Sequence, residues 1–158
     1  MTTLITSLQL LVFGTYVGVV WYKFGIQDAI STSTSKWEGE KKWYFFLCLG
    51  TLGILNLFQG MGVWGFGTAA GLFFTGITVD YKQNLAYGYY VHLVGVVMAL
   101  VLTFVGLGVY YGMWWLIPIY VIGIASIMTD PFHTHNQAKV WWIEILGFIL
   151  IIFGYYIR

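Results

Sequence analysis

Ionisable side chains inside apolar segments are the residues of this sequence best suited to chemistry. Glu144 and His92 each lie among apolar residues, in Val-Trp-Trp-Ile-Glu-Ile-Leu-Gly and Tyr-Tyr-Val-His-Leu-Val-Gly respectively. A charged group within a membrane segment is costly, so it indicates a functional site by default. Together with Asp80, these two residues form the predicted ligand-binding or polar cluster.

A second set of ionisable residues has the chemistry of a metal site. Its members are His92, Asp130, His133 and His135. Imidazole and carboxylate groups suit zinc or iron, so the set predicts zinc or another divalent metal as cofactor. The His-x-His pair lies in a polar loop, where the backbone does not fix the direction of either side chain.

Three interpretations of these residues stay open. The first is the metal site. The second is a proton relay or ligand site, in which Glu144 and His92 face each other across a polar cavity. The third is structural: Glu144 pairs with His92 or Lys139 and holds two helices together, since structural ion pairs are also common.

The composition determines which elements must position these residues. The chain has 158 residues, of which 59% are hydrophobic and only 8% are charged, whereas a soluble domain has about 25% charged residues. Its main partner must therefore be the lipid bilayer. A net charge of +1 lacks the basic surface of a nucleic-acid-binding protein. The length leaves room for one helical bundle and no separate soluble domain.

Apolar runs divide the chain into six predicted membrane spans, each near the length of about 20 residues that a bilayer requires. Residues 1–158 form a single transmembrane domain with an all-α fold, a polytopic bundle of six short helices. Five spans are the alternative, if one short segment is re-entrant. The predicted spans are residues 4–22, 43–59, 62–79, 89–110, 114–128 and 140–157.

The connections between these spans alternate in character. Three polar connections, residues 23–42, 80–88 and 129–139, hold six of the seven basic residues and all the acidic residues other than Glu144. Both termini and the two uncharged hairpin turns lie on the other side. Because basic loops stay in the cytoplasm, we expect the three polar connections there and both termini outside.

Two segments have local features of their own. Gly67 and Gly71 form a GxxxG pattern, which predicts close packing of the third helix, because small residues let helix backbones approach. The run Ser31-Thr-Ser-Thr-Ser35 fits a flexible polar loop. The alternative is that the stretch from Gly25 folds back into the bundle, so that its hydroxyls face Glu144 and His92.

Several short motifs carry a resemblance to a known group. Ile-Ser-Thr-Ser from Ile30, Val-Asp-Tyr-Lys from Val79, Val-His-Leu-Val-Gly from Val91 and Trp-Ile-Glu-Ile from Trp142 resemble uncharacterised small multi-pass membrane proteins of Bacteroidetes-type bacteria and their phages. The resemblance covers most of the chain. It implies this topology and a coupled set of Asp80, His92 and Glu144, but no activity.

A more remote similarity is to the alkaline ceramidase superfamily of intramembrane hydrolases, which combine serine, aspartate and histidines around zinc at one membrane face. The HxxxH of that superfamily's closing helix is missing from this sequence. The similarity implies only that a hydrolase activity is worth testing.

These features predict a small bacterial inner-membrane protein with a polar pocket that opens to the cytoplasm and binds a small ligand or metal. One alternative is a metal-dependent intramembrane lipid or amide hydrolase, in which the metal activates water. The other is a non-catalytic membrane subunit or scaffold that forms a homo-oligomer or joins a membrane complex, since its glycine-rich faces favour association.

Overall fold

The computed structural model describes residues 2–27, 29–30, 33, 36–37, 43–77, 85–129 and 138–158. Within these ranges the chain forms six α-helices and no β-strand. The helices are α1 (Thr2–Phe24), α2 (Trp43–Leu57), α3 (Gly62–Ile77), α4 (Leu85–Tyr111), α5 (Leu116–Thr129) and α6 (Ala138–Ile157). The all-α prediction is therefore confirmed, and each helix corresponds to one predicted span.

Only three of these helices are long and apolar enough to cross a membrane, with apolar stretches at Thr2–Phe24, Tyr90–Tyr111 and Lys139–Ile157. The others, α2, α3 and α5, have 15, 16 and 14 residues. At 1.5 Å per residue they are about 21–24 Å long, against about 30 Å for the hydrocarbon core of a bilayer. The structure thus shows six helices, of which three could span a membrane by length and composition.

Five helices form a closed ring. Helix α1 packs against α2 and α6, α2 packs against α3, α3 against α4, and α4 against α6. We call these five the helix ring. Helix α5 packs on α6 outside the ring. Short turns connect α2 to α3 and α4 to α5, so these helices are neighbours along the chain. The interior is surrounded by α1, α2, α3, α4 and α6.

Glycine brings α3 and α4 into backbone contact. A Cβ atom on Gly71 would lie 2.5 Å from the backbone nitrogen of Ala99, and one on Gly95 would lie 2.6 Å from that of Thr75. No side chain fits at such distances, so the two helices depend on glycine for their separation. The predicted close packing of the third helix is confirmed.

The two ends of the helix ring hold different parts of the chain. Both termini and both short turns lie at one end, where Arg158 hydrogen-bonds Gln59 and Tyr111 and where Gln59 contacts Thr6. We call this the terminal end. The opposite end, where α1 ends and α2 begins, is the loop end. This alternation matches the predicted one, while the membrane side that each end faces stays a prediction.

The outer surface of the bundle is strongly apolar. Large apolar residues cover much of it. Among them, more than 60% of the residue surface is exposed at Leu11, Val63, Phe66 and Ile122. Soluble monomers rarely expose apolar patches of this extent. The surface and the three long apolar helices together indicate a membrane protein.

Candidate functional site

A cavity runs through the middle of the helix ring, and its walls come from all five ring helices. It leaves about 80 Å³ for the centres of water-sized atoms. On α6 the lining residues are Glu144, Phe148, Ile151, Ile152 and Tyr155. Their spacing of three or four residues places them on one helix face. The cavity therefore extends along the helices, from Glu144 towards the loop end to Tyr155 at the terminal end.

Glu144 brings a carboxyl group to the wall of this cavity. Its side chain is half-buried, and its Oε2 atom accepts a hydrogen bond of 2.5 Å from the backbone N–H of Ile30. Ile30 is itself buried and lines the cavity. Among the described residues that line the cavity, Glu144 is the charged one.

The segment after α1 folds back into the bundle at its described positions. Ala29, Ile30, Ser33 and Trp37 are all buried. The Ser33 hydroxyl donates to the backbone oxygen of Ile30 at 2.6 Å and lies 2.6 Å from the hydroxyl of Tyr16. Since the one Ser33 hydrogen goes to Ile30, Tyr16 is the donor in the second contact. At these positions the chain folds back into the bundle, as the alternative predicted, and the Ser33 hydroxyl contacts Tyr16 and Ile30. The other residues of the Ser/Thr run lie outside the described residues.

His92 lies between helices and not on the cavity wall. It is buried, and its Nδ1 atom lies 3.1 Å from the backbone oxygen of Thr75 on α3. A carbonyl oxygen only accepts, so Nδ1 carries the hydrogen in this contact. The ring of Phe45, which lines the cavity, lies 6.4 Å from the His92 ring between centroids. This contact ties α4 to α3, while the predicted pairing of Glu144 with His92 stays a prediction.

The remaining predicted site residues, Asp80, Asp130, His133 and His135, lie outside the described residues. The described part of the chain contains no group of three or more side chains of the metal-ligating types His, Cys, Asp and Glu. Lys139, the other predicted partner of Glu144, donates from Nζ to the backbone oxygen of Met128 at 2.8 Å. The metal set and the coupling of Asp80 with His92 and Glu144 stay predictions.

The terminal end contains a buried polar network that sequence reasoning missed. Gln59, almost wholly buried in the turn after α2, donates from Nε2 to Gln9 at 2.5 Å and to Thr6 at 3.2 Å, both on α1. Arg158 donates to the backbone and side-chain oxygens of Gln59. It also donates to the Tyr111 hydroxyl at 2.6 Å. Gln59 thus connects the α2–α3 turn to α1 directly and to Arg158 after α6, and Arg158 extends the network to Tyr111 on α4.

A second pair of polar residues lines the cavity beside this network. Tyr155 donates to Asn56 Oδ1 at 2.5 Å, and Asn56 Nδ2 donates to the backbone oxygen of Gly65 at 3.2 Å. Both residues are buried and line the cavity. Their hydrogen bonds are made to protein groups, so these polar atoms at the terminal end of the cavity already have partners.

The middle of the cavity wall behaves as an apolar surface despite its threonines. The hydroxyl of Thr68 donates to Trp64 at 2.9 Å, and that of Thr75 donates to Gly71 at 2.8 Å, both to backbone oxygens of the same helix. Such bonds consume the hydroxyl hydrogen within the helix. Most of the other lining residues are aliphatic or aromatic. The cavity therefore has mainly apolar walls, the hydrogen-bonded pair Tyr155 and Asn56 at its terminal end and a carboxyl group towards its loop end.

A sequence signal for the terminal-end network did exist. Asn56 and Gln59 are amides in an otherwise apolar, charge-free hairpin, and Gln59 is followed directly by Gly60. Gly60 has a φ of +78°, a conformation that glycine adopts without steric cost, so the turn bends back and leaves Gln59 buried. The sequence did not show that Arg158 and Gln9, far away along the chain, would contact that amide.

Comparison of the chain with protein-family models, with curated proteins and with solved structures found no match. The function must therefore be argued from the geometry of the cavity and of the two ends of the helix ring.

Proposed function

We propose that this chain is a multi-pass membrane protein that binds a small, mainly apolar ligand inside its helix ring. The observation that carries the proposal is the cavity itself, which lies within the bundle, has apolar walls and ends near Glu144. Ligand sites are typically concave and apolar, with a few placed polar groups. Glu144 is the residue that would orient the ligand.

The membrane supplies both the environment and the ligand in this proposal. The basic residues of the polar loops favour an orientation with the loop end in the cytoplasm, and we propose a bacterial inner membrane. A ligand with an apolar body partitions into the bilayer that surrounds the helix ring, because transfer of apolar surface out of water is favourable. The ligand is therefore more concentrated in the bilayer around the helix ring than in the surrounding water.

Photolabelling in lipid nanodiscs tests the proposal. The probe is a medium-chain alkyl alcohol with a diazirine at the end of its chain. We expect adducts on the α6 residues Ile151 and Ile152, which line the cavity, in addition to the unavoidable adducts on exposed Ile149 and Phe153. Excess unlabelled alcohol should reduce the first set and leave the second unchanged. Adducts on the exposed positions alone would contradict the proposal.

A matched pair of variants on α2 separates the cavity from the outer surface. Cys48 is buried and lines the cavity, whereas its neighbour Leu47 is 58% exposed. Cys48→Phe should fill the cavity and abolish the adducts on Ile151 and Ile152, while Leu47→Phe should leave them. Ile152→Phe fills the cavity from α6, with Ile151 then as the reporter, and serves if Cys48→Phe does not fold.

The hydrolase and scaffold alternatives stay predictions with their own measurements. A metal-dependent hydrolase requires zinc, iron or manganese to copurify in a stoichiometric amount, which elemental analysis of the purified protein measures. A homo-oligomeric scaffold requires a mass above that of one chain in a mild detergent. A strictly monomeric mass there would contradict the scaffold.

A further inference from the structure

The five helices of the helix ring do not shield the cavity equally. Every residue of α1, α2 and α3 that lines the cavity is buried, and so is Ile30. On α4 and α6, by contrast, part of the lining is only half-buried. The half-buried residues are Val96 and Leu100 on α4 and Glu144, Phe148 and Ile151 on α6. Among the described residues, the cavity wall is therefore most exposed along the contact between α4 and α6, which we call the α4–α6 seam.

The α4–α6 seam is closely packed towards the terminal end. A Cβ atom on Gly154 would lie 2.9 Å from a methyl carbon of Leu107, and one on Gly147 would lie 3.1 Å from a methyl carbon of Leu100. Each leucine of α4 thus lies against a glycine of α6. Leu107 has an exposed fraction of 0%, so the two helices shield the cavity fully at this level.

The same register predicts which residues face each other nearer the loop end. Helices α4 and α6 both begin at the loop end, and the two leucine–glycine pairs have the same separation along the chain. A step of seven residues, or about two helical turns, therefore brings Leu93 level with Val140. Leu93 is 44% exposed and Val140 is 48% exposed. The leucines on this face of α4 thus change from buried at Leu107 to exposed at Leu93.

Neighbouring positions on α4 show the same change in exposure. Phe104 is 5% exposed, and its ring centroid lies 5.2 Å from that of Tyr120 on α5. Val97, two turns nearer the loop end, is 50% exposed. Thr103 is buried, whereas Val96, again two turns nearer the loop end, is half-buried. The exposure is therefore a property of this part of the seam and not of one side chain.

The other contacts around the helix ring shield the cavity better. The rings of Phe13 and Phe148 stack between α1 and α6, with centroids 4.1 Å apart. Between α1 and α2, the ring centroids of Tyr16 and Phe45 lie 5.8 Å apart. A Cβ atom on Gly53 of α2 would lie 3.3 Å from a backbone oxygen of α3, and α3 meets α4 through glycine. Close contacts of these kinds resist separation of the helices.

We propose that the ligand enters the cavity from the bilayer through the loop-end part of the α4–α6 seam, between Leu93 and Val140. We call this part the lateral portal. The inference rests on the proposed function, because it gives the entry route to the same cavity. One turn further along each helix, Val96 and Glu144 line the cavity, so the portal leads directly to its loop end. The ligand is then a molecule dissolved in the leaflet around the loop end, since apolar side chains border the portal.

A reversible cross-link across the lateral portal tests this route. Cys48→Ala removes the cysteine of the chain, and Leu93→Cys and Val140→Cys are then joined in nanodiscs by a bifunctional methanethiosulfonate reagent. The readout is the labelling of Ile151 and Ile152 by the photoreactive alkyl alcohol. A cross-link made before the probe is added should lower this labelling at least about tenfold, because a closed gate blocks entry. Reduction of the disulfides should restore it.

The order of addition distinguishes entry from fit. Probe that is added before the cross-link should stay in the cavity and label Ile151 and Ile152 even after excess unlabelled alcohol is added. The control cross-link joins Leu47→Cys on α2 to Phe74→Cys on α3, two positions on the outer surface. It should change neither the labelling nor the competition by unlabelled alcohol.

Two results would overturn the portal and leave the ligand-binding cavity in place. The first is equal labelling before and after the portal cross-link, with the cross-link itself verified by mass spectrometry. The second is an equal loss of labelling from the portal and control cross-links, which would reflect a bundle made rigid at any site. Absence of labelling at Ile151 and Ile152 in the unchanged protein would overturn both this inference and the proposed function.

Tryptophan variants serve if the cysteine pair does not fold or does not cross-link. Leu93→Trp together with Val140→Trp fills the portal from both helices, so the labelling of Ile151 and Ile152 should rise more slowly after the probe is added. Val94→Trp, at an exposed neighbour on α4, is the control and should keep the original rate. An unchanged rate in the double variant would overturn the portal.

Discussion

The two ends of the helix ring both contain buried polar side chains, but those side chains have different partners. At the terminal end, Gln59 binds Gln9 and Arg158, and Tyr155 binds Asn56. These bonds join helices to one another and leave the polar atoms satisfied. Polar groups used in this way contribute to stability and are poorly placed to bind a ligand.

At the loop end, the polar contacts hold a segment against the cavity. Glu144 accepts the backbone N–H of Ile30, and Tyr16 binds Ser33. Helices α3 and α4 approach each other there at Gly95, and His92 contacts the backbone oxygen of Thr75. The density of polar residues therefore does not by itself locate a binding site. The carboxyl group that lines the cavity is the better candidate.

Gly95→Ala should give the largest effect, because it breaks the contact between α3 and α4. Its Cβ would lie 2.6 Å from both the nitrogen and the hydroxyl oxygen of Thr75. We expect a loss of about 3 kcal/mol in the free energy of unfolding, the upper part of the range for overpacking. Unfolding in mixed detergent and SDS micelles measures it. Gly14→Ala is the control, since a Cβ there has nothing within 4 Å; equal effects at both glycines would contradict the packing argument.

Gln59→Met should give the next largest effect, because it removes the amide that joins the terminal end while keeping a similar volume. Gln9 and Arg158 then lose a partner inside the bundle. We expect the free energy of unfolding to fall by about 2 kcal/mol. A buried polar group without a partner costs about 1–3 kcal/mol, and this cost is smaller where the group finds another partner. The same unfolding assay measures it. Phe58→Met, at an exposed neighbour, should change little, and a similar loss in both variants would be inconsistent with the network.

Ser33→Ala should give a smaller loss, because it removes the hydroxyl that binds Tyr16 and Ile30. We expect about 1 kcal/mol, the net contribution of a typical hydrogen bond. Tyr16→Phe removes one of the same contacts, so the two changes should be less than additive in a double-mutant cycle. Full additivity of the two losses would show that the folded-back segment does not depend on this pair.

Glu144→Gln should give the smallest change in stability. The amide oxygen still accepts from Ile30, so we expect a change of about 0.5 kcal/mol or less. A loss comparable to that of Gln59→Met would mean that Glu144 serves the fold, as the structural interpretation holds. Glu144 would then act as Gln59 does, as a polar group that joins parts of the fold.

Much of the fold could be predicted because it depends on local patterns. Apolar runs of the required length predict the helices, and polar connections predict how they alternate between the two ends. The glycines at positions 67 and 71 predicted the close packing of α3. The position of Glu144 within an apolar stretch also predicted that it would enter the bundle, where it lines the cavity.

The candidate site was predicted only in part, because its geometry depends on distant residues. His92 and Glu144 looked equivalent along the chain, yet His92 contacts Thr75 between α3 and α4, while Glu144 lines the cavity. Which face of a helix points inward depends on all its neighbours. A helix that is apolar all round gives no periodic signal to distinguish its faces.

Composition and the order of segments were enough to predict a helical chain with a surface suited to lipid and with its polar loops at one end. Three features could be seen only in the folded chain: five helices close into a ring with α5 outside, Gln59 contacts Arg158, and Ile30 folds back to Glu144. Contacts between residues far apart in the chain depend on how the helices pack, and packing is a property of the whole bundle.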